Sequence, residues 1–318
     1  MGTEATIGIV KAREEKGAFK DLFDFCNKVN MSQLNKKTIE SLVMAGAFDS
    51  LSPDKKPEIN RPSLLADVEP TIEKVNKLNE PKQDLTLNLF GEEEIYSTAE
   101  VKPIERWTNA QMLNNERDVL GVYFSGHPLA KYTRHLNKVL KDSVTKINEH
   151  PANGSVIVAG VITRLKKRQT RDKKNWAQIT LEDEKYSVTA NIFAKVWEHL
   201  SDSLSVYQTL IVRGDIKGSD EAAGTEIIVS GVEPIFPLIS RRAKKMYIHL
   251  PKNVKNEQLL KVKEMLGQNM GLSEVYLDFC EDGKKHLIRT PYKITIDIPL
   301  VKYLEDTFGT YCWDIDVK

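Results

Sequence analysis

The feature that most constrains this chain is a change of period. From Gly154 to Phe236 apolar residues recur at every second position, whereas on either side they recur at helical spacing. Val156, Val158, Gly160 and Ile162 form one such run. Ala177, Ile179 and Leu181 form a second, and Val188, Ala190 and Ile192 a third. A short helical stretch follows at about Ala194–Leu200, then two more strand runs at Leu210–Ile216 and Glu226–Ile235. Only a strand places alternate side chains on one face, so this block must form a sheet with one buried surface.

Five strands with a helix between the third and fourth is the order of an oligonucleotide/oligosaccharide-binding (OB) barrel. In that fold the loop between the first two strands, together with the face of strands two and three, contacts nucleic acid. Here the loop position holds Arg164 through Lys174, with seven basic residues and one acidic. The whole chain balances 46 Lys and Arg against 45 Asp and Glu, so only this local excess speaks for a polyanionic partner. Alternation turns Trp176, Gln178 and Thr180 outward on the second strand, and Thr189, Asn191 and Phe193 outward on the third. The candidate single-strand contacts are therefore Arg164, Lys166, Lys167, Arg168, Arg171, Lys173 and Lys174 for phosphate, with Trp176 and Phe193 as stacking platforms. Three competing assignments stay open: Trp176 as a cover for the barrel mouth, Phe193 as a helix cap, and the basic run as a solvated hairpin. The loop from Lys217 to Glu226 is acidic and should keep away from phosphate.

The flanks complete a multidomain chain. Residues 1–52 read as an all-α region, with Gly17 as a helix stop and Asn35 as an N-cap. Residues 53–153 read as a helical connector: a helix over about Ser63–Leu78, a proline-bounded exposed linker at 80–103, and helices from Thr108 or Asn109 to Leu120 and from Pro128 to Leu140. The β-barrel occupies 154–236, and residues 237–318 alternate strand and helix as a small α+β domain. No apolar run approaches the ~18–20 residues that span a bilayer, so no membrane partner is expected. The N-terminus lacks the build of a signal peptide. Three scattered cysteines (Cys26, Cys280, Cys312) argue against a disulfide framework or a zinc site and for a reducing, cytoplasmic setting. Asp314 and Asp316 are the candidate paired carboxylates, spaced to share a strand face as two-metal nucleotidyl transfer would need. They stand at the end of the sequence with nothing following to enclose a substrate. The expectation is a solvated strand, with no catalytic residue and no metal or other cofactor in this chain.

Two long motifs carry a family resemblance. Phe19-Lys20-Asp21-Leu22-Phe23-Asp24-Phe25-Cys26, followed by Asn35-Lys36-Lys37 and by Glu40 through Asp49, is one. Leu120-Gly121-Val122-Tyr123-Phe124-Ser125-Gly126-His127-Pro128-Leu129 is the other. In this order, followed by the barrel and the α+β tail, they resemble the C-terminal region of the bacterial replicative DNA polymerase III alpha subunits. The resemblance implies DNA replication as the function and a longer parent in which the palm, thumb and most of the fingers lie upstream. It also implies that DNA-directed polymerase activity and its magnesium belong to that missing core. The other function class the residues allow is a stand-alone single-strand-binding or adaptor protein built from the same modules.

By resemblance, residues 1–52 belong to helix-hairpin-helix elements that grip duplex backbone, with Gly2 closing the first hairpin and Gly46 in the second. Lys36 and Lys37 are the accompanying phosphate neighbours, or else a solvated helix start. The second hairpin reads Gly46-Ala47-Phe48 and lacks a second glycine. The linker stretch from Gln83 to Gly91 resembles the family's peptide for the sliding clamp, with Thr86, Leu87, Leu89 and Phe90 in the binding register and Thr86 where glutamine is expected. Its alternative is a short strand, because Leu85, Leu87 and Leu89 alternate. The tail resembles the domain that docks the clamp-loader subunit tau. Tyr311 and Trp313, two apart near the terminus, are its candidate docking pair.

Overall fold

The computed structural model describes residues 2–29, 34–52, 56–79, 104–149, 154–217, 225–281 and 284–317. The chain divides into two compact units, Met1–His127 and Pro128–Lys318.

The first unit is helical. Helix α1 (Thr3–Lys16) stops at Gly17, and α2 (Leu22–Lys28) is capped by Asp21, whose side chain accepts from the Asp24 amide. Helix α3 (Lys36–Met44) is capped by Asn35. Helix α4 (Pro57–Asn79) is followed by α5 (Asn109–Leu120), which ends at the left-handed Gly121. Phe25, Cys26, Ile39, Val43, Phe48, Val68 and Val75 form the core. The Phe25 ring meets Phe19 and Phe48 edge-on, at 5.0 and 5.1 Å.

Helix α4 corrects the sequence reading, which starts it at Ser63. It begins six residues earlier, with Pro57 at its first turn, and runs through Pro62 and Pro70. A proline inside a helix strands the carbonyl four residues back. For Pro62 that carbonyl belongs to Glu58, and it accepts the Trp107 amide at 2.9 Å. A partner 49 residues away in sequence thus satisfies the group that proline would have orphaned.

The second unit opens with α6 (Ala130–Val139) and a closed barrel of five strands: β1 (Ser155–Gln169), β2 (Asn175–Glu182), β3 (Ser187–Ile192), β4 (Thr209–Lys217) and β5 (Glu226–Pro234). Helix α7 (Ala194–Leu200) joins β3 to β4. The expected inward sets Ala177, Ile179, Leu181 and Val188, Ala190, Ile192 are all buried. Gly160 belongs in the core for a steric reason, since a Cβ there would lie 2.3 Å from Leu181 Cγ. Helix α8 (Ile235–Arg242) follows the barrel directly, where the sequence pattern continues the strand to Ile235.

The tail is β6 (Lys245–Leu250), α9 (Asn256–Gln268), β7 (Met270–Glu281), β8 (Lys284–Ile294), α10 (Ile298–Phe308) and β9 (Trp313–Asp316). Its four-stranded sheet has the order β8-β7-β6-β9, with β6 parallel to β7 and antiparallel to β9. The fold class expected from the sequence, helical region then OB barrel then small α+β domain, is the one observed.

Candidate nucleic-acid interface

The basic run is strand rather than loop for most of its length. β1 continues to Gln169 and pairs with β2 as far as Asn175, so only residues 170–174 form the turn. A hairpin rich in charged residues still makes its ladder, because backbone pairing does not require an apolar face. The register then sorts the cations. Arg168 lies opposite Trp176, Lys166 opposite Gln178 and Arg164 opposite Thr180. On the other side of β2, Gln178 faces Asn191 and Thr180 faces Thr189, and Phe193 continues that line beside Trp176.

Directly opposed residues share a face, so three rows cross the outer surface of β1, β2 and β3. The first row is Arg168, Trp176 and Phe193. The two rings lie 5.9 Å apart at 30°, and the Arg168 guanidinium sits 5.6 Å over Trp176. Phe193 is 49% exposed and stands at the N-cap position of α7 without a side-chain capping hydrogen bond, which leaves its ring free to face outward. The second row is Lys166, Gln178 and Asn191. Gln178 Nε2 donates to Asn191 Oδ1 at 3.2 Å, and Asn191 Nδ2 donates to Glu226 Oε2 at 2.8 Å. The third row is Arg164, Thr180 and Thr189.

Lys167 departs from this face. Its backbone partner is the inward Ala177, and its ammonium lies 5.8 Å over the Trp197 ring. Arg171, Lys173 and Lys174 stand at the exposed turn, where Lys173 has φ of 60° and the Thr170 hydroxyl accepts from the Lys174 amide at 3.1 Å. Among the described residues none of the seven cations forms an ion pair. The contrast with Arg61, Arg134, Arg213 and Arg289, each held by a carboxylate or a carbonyl, is marked. What the ribbon offers chemically is positive charge, unpaired among the described residues, beside two accessible rings, suited to phosphate and to an unstacked base. Alternation places Gln178 and Asn191 outward, yet the sequence reading leaves them out of the site. Gln178 is half-buried, and Asn191 is buried with its amide held by Gln178 and Glu226.

The other expected sites fare differently. Gly46 is not at a helix N-terminus. It follows α3 in the left-handed conformation, φ 79°, and its amide donates to Val43 O while the Ala47 amide donates to Leu42 O. A Cβ there would lie 2.4 Å from Arg61 Nη2, so the glycine makes room for a buried arginine. Gly2 is the exposed N-cap of α1. Lys36 is paired with Glu69 at 2.8 Å in an exposed ion pair, and that bond raises its pKa; Lys37 is exposed. Thr86, Leu87, Leu89 and Phe90 lie outside the described residues, as does most of the acidic loop after Lys217.

Tyr311 and Trp313 do not share an open face, which corrects that expectation. Tyr311 precedes β9 and is 78% exposed. Trp313 is 1% exposed, stacked at 3.9 Å on His135 of α6, with its indole N–H donating to Glu305. Asp314 is likewise committed: Lys138 Nζ lies 2.7 Å from it and Arg134 Nε 3.5 Å. Burial would raise its carboxyl, but the Lys138 hydrogen bond and the neighbouring cations hold it below the ordinary range. It is a structural anion. Among the described residues no group of three His, Cys, Asp or Glu side chains is arranged to hold a metal ion, and no helix is long and apolar enough to cross a membrane.

Residues 1–57 match the helix-hairpin-helix motif family and residues 156–235 match the OB-fold nucleic acid binding domain family. Among solved structures, the barrel is similar to the single-stranded-DNA-binding domain of a Synechococcus protein (19% identical, 26% of this chain and 98% of that one, TM-score 0.23). It is also similar to a domain of replication protein A from Methanococcus maripaludis (21% identical, 28% and 91%, TM-score 0.23). Among curated proteins, DNA polymerase III subunit alpha of Pseudomonas aeruginosa is 25% identical over 97% of this chain and 28% of its own length. That of Bacillus subtilis is 27% identical over 97% and 27%. The chain therefore spans about a quarter of the length of the curated relatives it matches. Over nearly all of its length, the chain is homologous to the C-terminal region of the bacterial DNA polymerase III alpha subunit.

Proposed function

We propose that this chain handles DNA and partner proteins during replication, with nucleotide addition left to a catalytic core that belongs to the longer relatives. The outer face of β1–β3 binds single-stranded template. The observation that supports this most is the row of Arg168, Trp176 and Phe193, with Lys166 and Arg164 on the same face and none of these three cations in an ion pair among the described residues. The linker around Leu89 and Phe90 binds the sliding clamp, supported by two adjacent large apolar residues in a proline-bounded, acidic stretch. The α+β tail docks the clamp-loader subunit tau, and with Trp313 in the core, exposed Tyr311 is the residue on which that docking rests. The helical unit approaches duplex backbone through Gly2 and Lys37.

Fluorescence anisotropy with a labelled single-stranded oligonucleotide tests the central part. Trp176→Ala with Phe193→Ala removes both platforms, and each stacked base is worth about 1–3 kcal/mol, so Kd should rise at least tenfold. An unchanged Kd contradicts the assignment. For the linker, a peptide of residues 80–94 should bind purified clamp, and Leu89→Ala with Phe90→Ala should abolish binding. A native peptide inert at high micromolar concentration would remove the clamp reading.

A further inference from the structure

The sheet of the tail has two edge strands, β9 and β8. An edge strand presents backbone N–H and C=O groups that no neighbouring strand pairs. The chain closes the β9 edge with cations from α6: the Arg134 guanidinium donates to Trp313 O, and Lys138 Nζ donates to Ile315 O at 2.8 Å. Among the described residues nothing comparable covers β8. Beyond the ladder with β7, the backbone of residues 284–290 makes no hydrogen bond there.

The side chains of β8 say what could pair with it. The strand carries Lys284, Lys285, Arg289 and Lys293 together with His286, and no acidic residue. Arg289 is matched by Glu274, whereas Lys284 and Lys293 form no ion pair among the described residues. Neighbouring residues of a strand point to opposite faces, so Leu287 and Ile288, 54% and 50% exposed, place an apolar side chain on each face of this edge. Lysine on an edge strand can serve only to keep edges from pairing with one another. An edge built for that purpose alone would be polar throughout, and half-exposed leucine and isoleucine work against it. Like charges facing each other across a new strand pair repel, which disfavours a second copy of this chain; opposite charges attract. Pro291 has no N–H to pair, so the usable stretch is 284–290, an ordinary strand length bracketed by Lys284 and Lys293.

We propose that β8 is a docking edge for an extended acidic segment of a partner protein. The segment adds to the sheet as a further strand, with its carboxylates near the lysines and its apolar residues beside Leu287 and Ile288. This edge is the opposite one from β9 and Tyr311, and the proposal does not rest on the docking read there.

The test uses the full chain and a fluorescein-labelled synthetic peptide that alternates glutamate with valine, followed by anisotropy and by amide hydrogen exchange. The peptide should bind, and at saturation it should slow exchange over 284–290 by about tenfold or more while leaving β9 unchanged, because new backbone hydrogen bonds protect edge amides. A copy of the peptide N-methylated along its backbone keeps every charge but cannot pair as a strand. It should bind about tenfold more weakly or worse, since main-chain hydrogen bonds carry the affinity of an added strand. K284E with K293E, both at exposed positions, should lose the glutamate peptide and gain the matching lysine–valine peptide. Binding without slowed exchange over 284–290 overturns the proposal, as does equal binding of the N-methylated copy. A native chain that leaves the glutamate peptide unbound at high micromolar concentration overturns it as well.

Discussion

Glu116 is a carboxylate at 0% exposure whose oxygens are fully engaged. Arg61 Nη1 lies 2.8 Å from Oε1, the Ser125 hydroxyl donates at 2.5 Å, and the Phe124 and Ser125 amides donate to Oε2. Burial alone would raise this carboxyl, but the Ser125 and Arg61 hydrogen bonds outweigh it and hold it below the ordinary range. Arg61 also forks onto Asp49. One pair therefore ties α4, α5 and the Val122–Ser125 turn together. Removing one partner strands a buried charge, at a cost of about 3–5 kcal/mol. Arg61→Met or Glu116→Leu alone should each lower stability by about 3 kcal/mol or more, and the double variant by clearly less than the sum. Urea midpoints measure this, and strict additivity would contradict it. Glycine at position 46 and the Leu120–Leu129 motif are both visible in the sequence. Their reason is not, because Arg61 stands 15 residues from Gly46 and 55 from Glu116, and neither separation matches a local period.

Among the elements, α6 and β9 show where patterning succeeds and where it stops. The barrel strands are legible because one face of each is buried, so alternation survives in the sequence. The end of β1 is not, because its charged residues leave no apolar period to read. β9 misleads because spacing alone puts Tyr311 and Trp313 on one face, while the partner that buries Trp313 is a helix some 180 residues earlier. That helix also supplies a titrating group. His135 is 3% exposed, neither ring nitrogen has a hydrogen-bond partner among the described residues, and Arg134, Lys138 and Asp314 face it. Burial first, then Arg134, pushes its pKa from 6.5 down to about 4. The folded form thus binds fewer protons than the unfolded form. This contribution is intact above pH 6.5 and is lost as pH falls toward 4, up to about 3 kcal/mol in all. Thermal or urea melts from pH 7 to 4.5 should show the decline, and His135→Phe, which keeps a ring against Trp313, should flatten it. A native profile flat over that range would contradict the buried neutral imidazole.

At the scale of the whole molecule, Met1–His127 and Pro128–Lys318 each carry their own core. Units with separate cores fail separately. Residues 128–318 alone should therefore keep the single-strand affinity of the full chain within a few-fold, and loss of all binding would show that the helical unit contributes to the site. The claim on which the functional account depends is that the β1–β2 ribbon meets phosphate. Its most direct test is the salt dependence of single-strand affinity, measured for the native chain and for Arg164→Ala with Lys166→Ala, Arg168→Ala and Arg171→Ala. Every phosphate left without its cation should flatten the slope of log K against log salt by about 0.7, with the thermal midpoint unchanged because these side chains lie at the surface. A variant whose affinity and slope both match the native chain would contradict the account.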